Sequence, residues 1–162
     1  MRKLLWFVLS VTFCFCASCA KKKCEYRDDG TVAPVAEQQA VKKYLDSLGI
    51  AATLHPRGFY YKINDAGSGT TPAECSQITI GYIGQLSDGT IFDQQNSFVT
   101  QLVNLIDGWQ QGVPLIQKGG EISLYIPPSL GYGSQSVSTA NPNVTIPPYS
   151  ILIFDIHLLD VQ

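Results

Sequence analysis

Five side chains on separate stretches of this 162-residue chain could act on a bound group without forming a bond to it: Tyr82, Asp93, Trp109, Tyr132 and Phe154. Phe92 stands beside Asp93, and the apolar residues Phe98, Leu105, Ile106 and Ile146 lie within or between the same stretches. Ring and aliphatic walls with a few hydroxyls and one carboxylate are the composition of a dry pocket that orients its ligand by a small number of polar contacts. Bond-making chemistry has less to draw on. His157 falls on the face of an apolar strand opposite Phe154, and His55 precedes Pro56 in a loop, so neither is placed with a Ser or Cys nucleophile. The glycines mark turns and not a phosphate cradle, and the cysteines lack metal-ligand spacing, so no metal and no cofactor is expected. Each residue alone also has an ordinary reading. Phe154 would be core in almost any fold, Trp109 after Gly108 could simply pack, and Asp93 could be surface.

The elements that must position these groups follow from periodicity. Gly81-Tyr82-Ile83-Gly84, the Asp88-Gly89 turn and Ile91-Phe92-Asp93 read as two strands joined tightly, with Ile78, Ile80 and Tyr82 on one face. Residues 59–63 form another strand, which ends at Gly67-Ser68-Gly69, and residues 97–102 a weaker, bulged one. Residues 108–113 are bounded by glycines and predict a short helix that starts at Gly108-Trp109. Ile122, Leu124 and Ile126 alternate until Pro127-Pro128 ends the ladder, and Leu152, Phe154, Ile156 and Leu158 make one apolar face of a last strand. Ahead of these, residues 34–48 predict an amphipathic helix with Val41, Tyr44, Leu45 and Leu48 on one face and Gly49 as its stop. It could pack on the main domain or on a second subunit. The fold class is α+β, an antiparallel sheet covered by a short helix in a domain of about 100 residues.

In order along the chain come Tyr82-x-Gly84, Asp88-Gly89-x-x-Phe92-Asp93, Gly108-Trp109, Tyr132-Gly133 and Ile146-Pro147-Pro148. This series resembles the FKBP family of peptidyl-prolyl isomerases over residues 72–162. The resemblance implies a twisted antiparallel sheet wrapped around the short helix, with an apolar cleft between them. It implies that Trp109 is the floor on which a proline ring rests, and that Phe92, Phe154, Tyr82, Leu105 and Ile106 are the walls. Asp93 would bond Tyr82, while the Tyr132 hydroxyl and the Ile106 N–H would each bond a substrate carbonyl. Phe98 and Ile146 would close the rim. The implied ligands are proline-containing polypeptides, with macrolide inhibitors as possible occupants of the same cleft. A different class of reading is a binding module of this fold without catalysis, and a third is a purely structural envelope lipoprotein, which leaves the combination of Tyr82, Asp93, Trp109 and Tyr132 without a reason. Residues 134–145 depart from the family's short loop, with Asn141-Pro142-Asn143 where a His-Pro-Gly step is usual, and the stretch between Phe98 and Leu105 is one residue shorter.

The N-terminus reads as an export signal over residues 1–18: Met1-Arg2-Lys3, an apolar run over 4–16 that is too short to span a bilayer, and small residues before Cys19. Cys16-Ala17-Ser18-Cys19 resembles a bacterial lipobox, although Cys16 stands where an aliphatic residue is usual. Cys19 is the expected lipidation site of a membrane-anchored protein of the bacterial cell envelope, and the alternative is an exported protein cut nearby without lipid. Residues 19–33 read as a tether, 34–71 as the helix and a leading strand, and 72–162 as the isomerase-like domain. From Glu25 onward 13 acidic residues face 6 basic ones, which excludes nucleic acid as a partner. Cys24 and Cys75 remain after processing and could pair, or stay free because one lies in the tether and the other at a strand edge. Oligomeric state is left open.

Overall fold

Alternating apolar residues along the strands build a sheet with one face buried and the other covered in part. A computed structural model describes residues 24, 26, 28–139, 141 and 143–162. The stretch read as an export signal, Cys19 and the lysines at 21–23 lie outside the described residues. Helix α1 (Val35–Ser47) is followed by strands β1 (Thr53–Leu54), β2 (Tyr60–Asp65), β3 (Gln77–Leu86) and β4 (Ile91–Gln101). Next come helix α2 (Asp107–Gly112), β5 (Glu121–Ile126), β6 (Val137–Ser138), β7 (Thr145–Ile146) and β8 (Leu152–Val161). Six strands form an antiparallel sheet in the order β1-β2-β5-β8-β3-β4, and β6 pairs with β7 in a separate two-stranded ribbon. Among the described residues no helix is long and apolar enough to cross a membrane.

One face of the sheet carries Ile78, Ile80, Ile122, Leu124, Ile126, Phe154, Ile156 and Leu158 and buries them with Trp109 and Val113. The approach of α2 depends on two glycines one turn apart. A Cβ on Gly108 would come within 2.6 Å of Ile126, and one on Gly112 within 2.7 Å of Leu124. Side chains there would push the helix off β5, and Trp109 with it. On the other face Val41 and Leu45 of α1 pack on Tyr60, Tyr125 and Ile153. The helix therefore covers its own domain. Leu48, expected on the apolar face of that helix, is 57% exposed because the helix has ended at Ser47.

Two expectations about strands and linkers are corrected. The weak strand at 97–102 is not separate: β4 runs unbroken to Gln101, and Leu102 turns down into the core. The break suggested by the sequence is a pair of bulges, since Ile80 and Tyr82 oppose Phe98 and Gln95, while Gly84 and Gln85 oppose Asp93 and Ile91. Each adds one residue on β4. The segment read as a tether is also bound to the body from Cys24 onward. Cys24 and Cys75 form a disulfide. Arg57 ion-pairs with Asp28 and donates to the Thr31 carbonyl at 3.0 Å, and the Ala33 N–H donates to the Arg57 carbonyl at 2.9 Å. Tyr26 accepts a 2.9 Å hydrogen bond from Gln111 of α2.

Candidate active site

Between α2 and the β3–β4–β8 end of the sheet lies a cavity of about 200 Å³. That is smaller than the roughly 300–1,000 Å³ of a drug-sized site and suits a single ring with its flanking backbone. Tyr82, Phe92, Asp93, Phe98, Leu105, Ile106, Trp109, Tyr132 and Phe154 all line it. Nine of the ten residues expected at the site are thus brought together from β3, β4, α2, β8 and the segments before α2 and β6.

The packing is edge to face throughout. Trp109 meets Phe154 at a ring-centroid distance of 4.9 Å and an angle of 85°, and Tyr82 at 5.2 Å and 86°. Phe92 stands on Phe154 at 5.5 Å and 88°. Perpendicular rings brace one another through the quadrupole. Phe92 and Asp93 are consecutive in β4, and an unbroken pleat would send them to opposite faces. The bulge opposite Gly84 and Gln85 turns both toward the cavity. Gly84 itself leaves room for the rings, because a Cβ there would lie 2.7 Å from Phe92.

The polar groups divide into one fixed pair and two open donors. The Tyr82 hydroxyl donates to Asp93 Oδ2 at 2.6 Å, a short charge-assisted bond. The Tyr132 hydroxyl lines the cavity without a protein acceptor among the described residues. The Ile106 N–H, at the N-cap of α2, likewise has none. Burial raises the Tyr82 phenol well above its ordinary range, and the Asp93 bond and charge add to this. Burial and the Asp93 charge push Tyr132 in the same direction. Both therefore remain neutral at any physiological pH. In the unfolded chain tyrosine ionises near pH 10. The two phenols contribute stability that is complete below that pH and is lost as pH rises toward their raised folded values. The denaturant midpoint is expected to fall above pH 10, and to fall less in Tyr82→Phe. Equal slopes in the two proteins would contradict this.

Ile146 is the exception among the expected residues. It is 2% exposed, pairs with Val137 in the β6–β7 ribbon, and packs into the core instead of closing the rim. The ribbon accounts for this: pairing of residues 137–138 with 145–146 turns the long 134–145 loop into a hairpin whose inner side faces the core. Two residues near the site had not been singled out. Asn104 lines the cavity, and Gln110 binds the carbonyls that precede Ile106. A polar residue in a turn or in a helix of six residues leaves no periodic trace by which to find it. His55 is stacked on Phe59 at 4.3 Å, with its pKa lowered by burial and by Arg57, so it packs and does not face the cavity.

Behind α2 a larger cavity of about 290 Å³ is lined by Tyr26, Asp28, Asp29, Arg57, Asp107 and Gln111 among others. Its lining carries both signs of charge and lacks the aromatic walls that would hold an apolar ring.

Comparison with known proteins bears on the family and the fold. A family model for FKBP-type peptidyl-prolyl cis-trans isomerase matches residues 68–159, more than half of the chain. An FKBP-type peptidyl-prolyl cis-trans isomerase FkpA of Buchnera aphidicola (Schizaphis graminum) is 39% identical over 127 residues, covering 75% of this chain and 47% of the relative. The outer membrane protein MIP of Legionella longbeachae is 36% identical over 111 residues, covering 66% of this chain and 46% of the relative. This chain thus spans about half the length of these curated relatives. The crystal structure of FkpA from Escherichia coli superposes with a TM-score of 0.68 at 33% identity, over 78% of this chain and 60% of that one. With the matched segment containing α2 and nearly all of the sheet that frames the cavity, the chain belongs to the FKBP-type peptidyl-prolyl cis-trans isomerase family.

Proposed function

We propose that this chain catalyses rotation about X-Pro bonds in exported polypeptides, acting as a folding factor of the bacterial cell envelope. The observation that carries the reading is a ring-walled cavity whose polar groups, among the described residues, include a Tyr82–Asp93 pair, two unoccupied donors and Asn104. Amide resonance sets a barrier of roughly 18–20 kcal/mol, whereas cis and trans prolyl forms differ by only about 0.5–1 kcal/mol. The task is therefore one of rate. At the top of the barrier the C–N bond is twisted, the nitrogen regains its lone pair, and the amide loses charge separation. Water favours the planar, more dipolar amide, so a dry cavity disfavours the ground state relative to the twisted form. The proline ring lies on Trp109 between Phe92 and Phe154. The Tyr132 hydroxyl and the Ile106 N–H hold the carbonyls on either side of the rotating bond, already aimed and with no reorganisation left to make. Asp93 keeps Tyr82 oriented and presents its charge to the bound peptide. A macrolide carrying a proline-like ring would occupy the same cavity.

The envelope assignment is supported by the leader-like N-terminus, by a disulfide of the kind that persists in oxidising compartments, and by a relative named as an outer membrane protein. It includes anchoring through a lipid on Cys19, tested by the mass of the mature N-terminus. Loss of membrane association in Cys19→Ala is the expected result, and retention would reject the anchor.

The activity is tested by isomerisation of X-Pro tetrapeptides. Tyr132→Phe is expected to lower kcat/KM about three- to tenfold, the worth of one neutral hydrogen bond of about 0.5–1.5 kcal/mol. Asp93→Leu should cost about tenfold, since it also frees the Tyr82 hydroxyl. Unchanged rates in both would remove these residues from the mechanism, and an inactive wild-type chain that still bound peptide would leave a binding module.

A further inference from the structure

One wall of the cleft is held by a side chain that does not reach the cleft. Leu105 and Ile106 line the cavity, yet the turn that carries them has little support of its own. The Leu105 N–H donates to the Leu102 carbonyl at 3.1 Å, and the Ile106 carbonyl already opens α2 by accepting from the N–H groups of Trp109 and Gln110. Between these, the carbonyls of Val103 and Leu105 are both taken by Gln110 Nε2, at 3.2 and 2.6 Å. A primary amide has two N–H donors, and both are used here. Gln110 follows Trp109 directly in α2 and borders the polar space behind the helix, not the cavity. One side chain therefore ties the turn to the helix that carries the cleft's floor.

We propose that Gln110 is a positioning residue for the isomerisation, and this rests on the isomerase reading given above. By holding the two carbonyls against α2 it fixes the peptide plane between Leu105 and Ile106, since the Leu105 carbonyl and the Ile106 N–H belong to the same planar unit. A 2.6 Å bond to that carbonyl thereby sets the direction in which the Ile106 N–H points. A donor aimed at a transition state must be held to about 0.5 Å and 10–20° to be effective. Without Gln110 the plane can rotate about its flanking torsions, and the N–H leaves the line of the substrate carbonyl.

Two substitutions separate this role from simple packing. Gln110→Ala removes the tie. Gln110→Glu keeps length and shape but, when ionised, presents only acceptors to two carbonyls. At pH 7.5 both variants are expected to lose about five- to tenfold in kcat/KM, measured by protease-free NMR exchange on an X-Pro tetrapeptide. The glutamate variant should then recover as its carboxyl protonates, from below about pH 5, because the acid again has one O–H to donate. Asp28, Asp29 and Asp107, with Arg57 and Tyr26, face the same space and are common to every variant. The ratio of the glutamate to the alanine variant across pH is therefore the quantity read. A second readout is the Ile106 amide resonance, which should shift between wild type and Gln110→Ala without added peptide. Recovery of the glutamate variant alone supports the proposal. Activities within twofold of wild type at every pH, or a loss that follows thermal stability and does not recover in acid, overturn it. An inactive wild-type chain would instead sink the isomerase reading, and the Ile106 resonance would still decide whether Gln110 holds the turn.

Discussion

Leucine in place of Trp109 is expected to lower kcat/KM for an X-Pro tetrapeptide about thirtyfold while leaving the chain folded. The indole is 3% exposed and braced by Tyr82 and Phe154, so its upper face is a fixed plane at the bottom of the cavity. A proline ring resting there buries three methylene groups, each worth about 0.8 kcal/mol when fully removed from water. Leucine sits lower and gives back most of that contact, about 2 kcal/mol, which corresponds to the stated factor. It also admits water beneath the rotating amide, against the drying on which the mechanism depends. The fold should survive. Deleting a buried tryptophan side chain down to alanine costs about 3–5 kcal/mol, leucine refills part of the space, and domains of this size have about 5–15 kcal/mol in hand. The decisive comparison is with Tyr132→Phe, which removes one donor and leaves the floor in place. If Trp109→Leu were no worse than Tyr132→Phe, the ring-lined floor would not be the principal source of rate. Normal activity in Trp109→Leu would remove it from the mechanism altogether.

The site was legible because its parts lie on elements with strong periods. Ile122, Leu124 and Ile126, and then Leu152, Phe154, Ile156 and Leu158, alternate without interruption, and the structure buries each of them at 4% exposure or less. That places Phe154 on the inner face before any contact is known. Asp93 was a sharper case. A carboxylate next to an inward phenylalanine belongs outside on a regular strand, and only a bulge, which no residue type announces, sends both inward. A second bulge, where Ile80 and Tyr82 oppose Phe98 and Gln95, made β4 read as two strands. Ile146 was misplaced because its position depends on a ribbon formed by residues 137–138 and 145–146, set by pairing across a polar loop and not by a hydrophobic pattern. The N-terminal segment was misread for a further reason. Apart from the disulfide and the Ala33 N–H, its attachments are single side-chain contacts over long separations, from Asp28 to Arg57 and from Tyr26 to Gln111, within a composition that reads as linker. Polar contacts of this kind carry no period. Gln110 belongs with them, since its partners are backbone carbonyls that any sequence would provide.

Reduction of the disulfide between Cys24 and Cys75 is expected to lower stability by roughly 4 kcal/mol and to lower the melting temperature by roughly 10–15 °C. The bond closes a loop of 51 residues, and the unfolded chain regains that loop's freedom when it is cut. What the loop contains decides how the loss is felt. It includes α1, β1 and β2, so the bond fixes both ends of the layer that covers the outer face of the sheet. It also keeps Tyr26 close to Gln111, the neighbour of Gln110, on the outer side of the helix that floors the cleft. The cleft's own contacts do not pass through the cysteines, because Trp109, Tyr82, Asp93 and Phe154 are held by one another and by β3, β4 and β8. At 25 °C the reduced chain, or the Cys24→Ser/Cys75→Ser double variant, should therefore retain wild-type kcat/KM within about twofold, and the difference should emerge on heating. A chain whose melting temperature ignores reductant would show that the covalent tie adds nothing to the hydrogen bonds and ion pair of the same segment. A chain that lost activity at 25 °C in step with reduction, while still folded, would show that the N-terminal segment shapes the cleft through α2. The two results separate stability held in the outer layer from geometry held at the floor, and the packing favours the first.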